Sequence, residues 1–279
     1  MNLSASTNFE ISDSADSKEE EARAPLKPLK ELRKKPSDSN FENLLQTVES
    51  DLKTGRKGRE SLEKLRHFIF KSCSPSFEDL TKMAVKLKNE FPVRALILYH
   101  ISSDLRKTQN VDPNNAVNWI RNHVLEVMRP TELLVTADEN SRDVGLNYGL
   151  ALMETLLSEL RAAKNVCPRF RALNEASCLV SITAIYDDAG EYQKVISTGL
   201  NGITLLEKQF SREASKHQCY GMLLNNIGVG YHNLGQYSSA KVYYNRALSA
   251  KEKASDFDYD TEKRGTVELT NRNLHRLHR

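Results

Sequence analysis

The sequence predicts an all-α protein built of antiparallel helix hairpins, and three observations carry that prediction. Hydrophobic residues make up 39% of the 279 and charged residues 28%, with only 12 Gly and 8 Pro, a balance that favours helices over a turn-rich β fold. From about residue 41 onward, apolar residues recur at steps of three and four, and no alternating run bounded by turn signals is long enough for a strand. Between 225 and 248 small and aromatic residues take over that helical spacing, where most surface helices would carry leucine and charge.

The first segment, 1–40, is rich in Ser, Asp, Glu, Lys and Pro and lacks apolar periodicity. It cannot bury enough surface to offset ordering entropy, so a disordered charged tail is expected. Its charges are segregated: residues 10–21 hold six acids and one lysine, residues 23–35 six basic residues and one glutamate. The basic stretch APLKPLKELRKKP, 24–36, has the character of a nuclear address or a docking peptide. The N-terminus shows no signal-peptide pattern, and no run approaches the ~18 apolar residues that span a bilayer. Cys73, Cys167, Cys178 and Cys219 stand far apart without a CxxC pair, which points to reduced thiols in the cytoplasm or nucleus.

A helical N-terminal region is expected over 41–168. Leu44, Leu45, Val48 and Leu52 form one stripe; Leu62, Leu65, Phe68 and Ile69 form a second, over about 60–71. Phe77–Asn89 and Pro92–Arg106 then make a hairpin, with Pro92 in a first turn. Asp112 caps the next helix, Pro113 opens it, Trp119 anchors it in the core, and Pro130 is expected to break or kink it after Met128. One longer helix is expected over about 142–164.

The region 169–279 holds the most specific pattern. Ile227, Gly228, Tyr231, Gly235, Tyr237, Ala240, Tyr244, Ala247 and Leu248 read as a helix, a short turn at NLGQ and a second helix. Gly228, Ala240 and Ala247 allow close approach, Gly235 supplies the left-handed turn residue, and Tyr231, Tyr237 and Tyr244 fill the space that remains. Upstream by 45 residues, Ile182, Tyr186, Gly190, Tyr192, Val195, Gly199 and Gly202 repeat the plan in degenerate form. Weaker echoes lie at Gly145 and Tyr148, and at Phe91, Ala95 and Tyr99. Val267, Leu274 and Leu277 mark a polar, basic helix that closes the array.

These residues resemble the tetratricopeptide repeat, in wording most like that of kinesin light chains. The resemblance implies hairpins stacked as an α-solenoid whose first helices line a concave groove for an extended or helical peptide of a protein partner. Carried over by position, the groove residues are Ser177, Val180, Ala184, Asp187 and Asp188 from one repeat and Met222, Asn225, Val229, His232 and Asn233 from the next. Asn225 offers a two-sided amide to a peptide backbone, and Asp187 and Asp188 favour a basic segment. Asn226 matches a position that binds carboxylate tails in chaperone-binding members, but Val180 and Ala184 replace the polar partners that clamp requires. The implied function is a non-enzymatic adaptor or scaffold without cofactor.

No catalytic or metal motif opposes that reading. GVGYHNLG lacks both the spacing and the preceding strand of a phosphate loop, and His123 with Glu126 lacks a third ligand. The alternative is a nucleic-acid or anionic-surface binder acting through the basic region 23–71, where Lys53, Arg56, Lys57, Arg59, Lys64, Arg66 and Lys71 interleave with Phe68 and Phe70.

Overall fold

Residues 38–54, 59–73, 76–108, 112–256 and 260–277 are described by a computed structural model of the chain. The tail expected over 1–40 lies outside the described residues except for 38–40, which already belong to the first helix. Among the described residues there is no strand.

Helix α1 spans Asp38–Lys53; α2 spans Arg59–Phe68 and runs on into a widened π turn, Ile69–Cys73. The next pair is α3, Phe77–Leu87, and α4, Pro92–Lys107. Ser76 caps α3 in a complete capping box with Asp79, which satisfies two donors a helix start leaves orphaned. Helix α5, Pro113–Val135, is capped by Asp112, whose side chain accepts from the amides of Asn114 and Asn115. It is followed by α6, Glu139–Val144, a π-helical segment Gly145–Leu150, and α7, Ala151–Ala162. The C-terminal elements are α8, Pro168–Asp188; α9, Tyr192–Phe210; a 3-10 turn, Ser211–Lys216; α10, Gln218–Asn233; α11, Tyr237–Lys253; and α12, Asp260–Arg276.

The helices pack in pairs: α3 on α4, α5 on α7, α8 on α9, and α10 on α11. Successive pairs also touch. Helix α8 lies against α5 and α10, α9 against α10, and α12 against α11 and α10. The core is one cluster shared among these helices, and Leu96, Tyr99, Val124, Met153, Leu179, Leu223 and Ile227 are all buried in it. Fully burying one such side chain stabilises by about 2 kcal/mol.

One sequence expectation, a break at Pro130, is corrected. Pro130 does not end its helix, because α5 continues to Val135. A proline inside a helix costs about 3 kcal/mol. Leu134 and Val135, beyond it, are buried, and at about 2 kcal/mol each their burial outweighs that cost. The longer helix expected over about 142–164 is helical throughout 139–162, with the π turn Gly145–Leu150 set inside it. A β-carbon on Gly149 would lie 2.4 Å from Oγ1 of Thr131, and one on Gly145 2.8 Å from Cγ2 of Val135, so the wide turn sits where its backbone is pressed onto α5.

Trp119 anchors α5, edge-on to Phe77 at 5.5 Å and stacked on His123 at 4.2 Å, with the Arg106 guanidinium 4.8 Å from its ring. Nε2 of His123 sits 2.9 Å from the Tyr99 carbonyl, and burial lowers the ring's pKa to about 4. His123 is a neutral core residue here.

Candidate functional site

The α8–α9 and α10–α11 pairs close with the same hydrogen bonds. At the first turn Gly190 has φ 72°, its amide donates to Asp187 O, and Glu191 N donates to Tyr186 O. At the second, Gly235 has φ 72°, its amide donates to His232 O, and Gln236 N donates to Tyr231 O. This left-handed closure favours glycine at both positions and satisfies the last carbonyls of each first helix.

Above the turns the packing follows the small–large plan. A β-carbon on Gly228 would lie 2.6 Å from two ring carbons of Tyr244, which is itself buried. One on Gly199 would lie 2.5 Å from Ile227, and one on Gly202 2.6 Å from Leu223, so α9 is drawn onto α10 as closely as α11 is. Ala240 and Ala247 are buried, whereas Tyr231 stacks on Tyr243 at 5.3 Å. Tyr237 departs from the expected filling role: at the first position of α11 it is 56% exposed and meets His232 edge-on at 5.6 Å.

Of the predicted groove residues, Met222 and Val229 lie half-buried on α10, as do Ser177, Val180 and Ala184 on α8. Asn226 bridges the two helices by donating to Thr183 Oγ1 at 2.9 Å, and Asn233 donates to Asp187 Oδ1 at 2.9 Å. Asp187 is thus tied within the fold, while Asp188 is exposed at the end of α8. Desolvation, then Glu132 and Asp187, push the Asp188 carboxyl up to about 6. His232 stands at the turn, with Tyr237 and Tyr244 edge-on to its ring.

Asn225 is placed differently from expectation. It is only 5% exposed, and its Oδ1 accepts from Thr270 Oγ1 at 3.0 Å and Asn273 Nδ2 at 3.3 Å, both on α12. Helix α12 covers it, so its amide serves an internal junction rather than an open groove. Beside it lies Lys251, 1% exposed, whose Nζ donates to Thr270 Oγ1 at 2.7 Å and to the Thr266 carbonyl at 2.8 Å. Gly221 makes room for the lysine stem, since a β-carbon there would lie 2.7 Å from Lys251 Cγ. Burial lowers the Lys251 pKa to about 8. This cluster was not singled out from the sequence, although a signal exists: Lys251 follows Ala240, Tyr244 and Ala247 at steps of four, three and four, on the buried stripe of α11.

The described part of the basic region is largely neutralised. Lys53 pairs with Glu49 at 2.8 Å, Lys64 with Glu60 at 2.7 Å, and Arg66 with Glu63 at 3.0 Å and Asp104 at 3.4 Å. Phe68 and Phe70 are half-buried against the core. Residues 23–37, Arg56 and Lys57 lie outside the described residues, as does the side chain of Arg59.

Among the described residues no group of three or more His, Cys, Asp and Glu side chains is arranged to hold a metal ion, and no helix is long and apolar enough to cross a membrane. Cys178 and Cys219 are buried free thiols whose pKa values burial pushes up to about 12. No protein-family model matches the chain, and neither does any curated protein.

Proposed function

We propose that the helix pairs form a tetratricopeptide-like α-solenoid and that the protein is a non-enzymatic adaptor, holding a peptide or helix of a protein partner on the face lined by α5, α8 and α10. The observation that carries this reading is the repetition of one hairpin in two places, with identical turn closure at Gly190 and Gly235 and first helices side by side. A hairpin that repeats in this way presents corresponding surface residues in a row, the geometry an extended ligand requires. On α8 that row is Ser177, Val180 and Ala184; on α10 it is Met222 and Val229, a mostly apolar strip bordered by Asp188 and Asn233. Buried unpaired thiols at Cys178 and Cys219 fit a reducing compartment, the cytoplasm or nucleus. Reading the basic stretch as a nucleic-acid surface draws less support, because Lys53, Lys64 and Arg66 already face carboxylates.

Affinity capture tests the reading. The double variant Val180→Arg/Val229→Arg is expected to lose partner capture at least about tenfold while its helical content and Tm stay near native. Charge reversal at Lys64 is expected to leave capture intact. Unchanged capture by the double arginine variant, or loss on reversing Lys64, refutes the groove.

A further inference from the structure

The junction under α12 differs in kind from the others. Among the described residues of α12 the buried ones are Thr270 and Asn273, both polar, and they meet the buried Asn225 and Lys251, while Val267 and Leu274 of α12, and Leu277 just after it, are only half-buried. The two partners of the lysine, Thr270 Oγ1 and the Thr266 carbonyl, are neutral, and among the described side chains none forms an ion pair with its Nζ. An ammonium has three donors, and removing one from water without a counter-charge is costly. Without α12 the same lysine would stand on the outer face of α11, in water, at no such cost. Docking of α12 is therefore what creates the uncompensated cation, and this makes it a weak cover for the surface it closes.

We propose that the seat formed by Gly221, Asn225 and Lys251 is a docking site for a helix of a protein partner carrying an aspartate where α12 carries Thr270, with α12 as its exchangeable cover. The seat already accepts a helix, so the backbone shape of the occupant is set by α12 itself. Thr270 Oγ1 stands 2.7 Å from the lysine Nζ, so a short carboxylate reaches the ammonium with little movement, whereas glutamate is longer by a methylene. The second carboxylate oxygen faces Asn225, whose amide can turn to present its NH2 group. The pair then gains a charge-assisted hydrogen bond that α12 does not supply. This site lies at the end of the array and is independent of the face lined by α5, α8 and α10.

The test uses the full-length chain and three synthetic peptides covering residues 260–277: the native sequence, Thr270→Asp and Thr270→Glu. Binding is followed by fluorescence anisotropy, and displacement of α12 by faster hydrogen exchange in 260–277 of the protein. The Thr270→Asp peptide is expected to bind at least about tenfold more tightly than the native one and to release α12. In a full-length Lys251→Met chain that preference should vanish. The full-length Asn273→Ala chain, whose cover is loosened, repeats the comparison where the tethered helix competes less. Equal binding of the native and Thr270→Asp peptides, which would mark the seat as one for α12 of a second copy, overturns the proposal. So does preference surviving in Lys251→Met, or no binding by either chain at about 1 mM peptide, the local concentration of a short-tethered helix. Val180→Arg/Val229→Arg should leave peptide binding unchanged, so failure here is distinguishable from failure of the groove.

Discussion

The junction between α9, α10 and α11 and the junction between α11 and α12 join helices by opposite means. In the first, glycines at 199, 202 and 228 face Ile227, Leu223 and Tyr244, and the contact is apolar. In the second, one glycine, Gly221, faces a lysine stem, and Thr270, Asn273, Asn225 and the ammonium meet one another. Close apolar packing loses contacts outright when opened, with no water-compatible alternative. A polar junction exchanges its hydrogen bonds for water at little net cost. The contrast teaches that a glycine on a helix face can serve a permanent joint or a reversible one, according to what fills the gap it leaves.

That contrast can be broken at its strongest point first. Tyr244→Ala should empty the space over Gly228 and destabilise by about 3–5 kcal/mol, read as a fall in Tm and in the denaturant midpoint. Gly228→Ala comes next, at about 1–3 kcal/mol, because the methyl has nowhere to go against a buried ring even though alanine favours helix. A neutral or stabilising result would show that α11 yields easily and that the junction is not close-packed.

The α12 junction should respond in the other direction. Lys251→Met is expected to strengthen α12 docking by about 1–2 kcal/mol, slowing hydrogen exchange in 260–277 and nowhere else. Raising pH should act likewise on the native chain. The docked pKa, about 8, lies below the ordinary lysine value of 10.5 and has burial as its cause. The ammonium therefore opposes docking fully below pH 8, and the opposition fades as pH rises from 8 to 10.5. Exchange in 260–277, corrected for its intrinsic pH dependence, that does not slow across that window would remove the lysine from the account. The smallest effect is expected at Asn233→Ala, under about 1 kcal/mol, since its bond to Asp187 is exposed.

Much of the helix plan was legible because it rests on local rules. The cap at Asp112, the left-handed turn at Gly235 and the stripes of α1 and α2 each depend on residues a few positions apart. Pro130 and the π segment at 145–150 were not legible, since both depend on how tightly α5 is held by distant helices. The candidate site divided in the same way. Met222, Val229 and Val180 are half-buried, whereas Asn225 is buried, because a helix 45 residues later in the chain lies over it.

By itself, then, the order of residues determined that this chain is helical, where its hairpins turn, and where small residues allow close approach, for these follow from backbone sterics and a 3.6-residue period. Tertiary structure alone decided which polar side chains are sealed from water. Burial of Lys251 and Asn225 depends on where α12 comes to rest, and desolvation acts through space, without regard to distance along the chain.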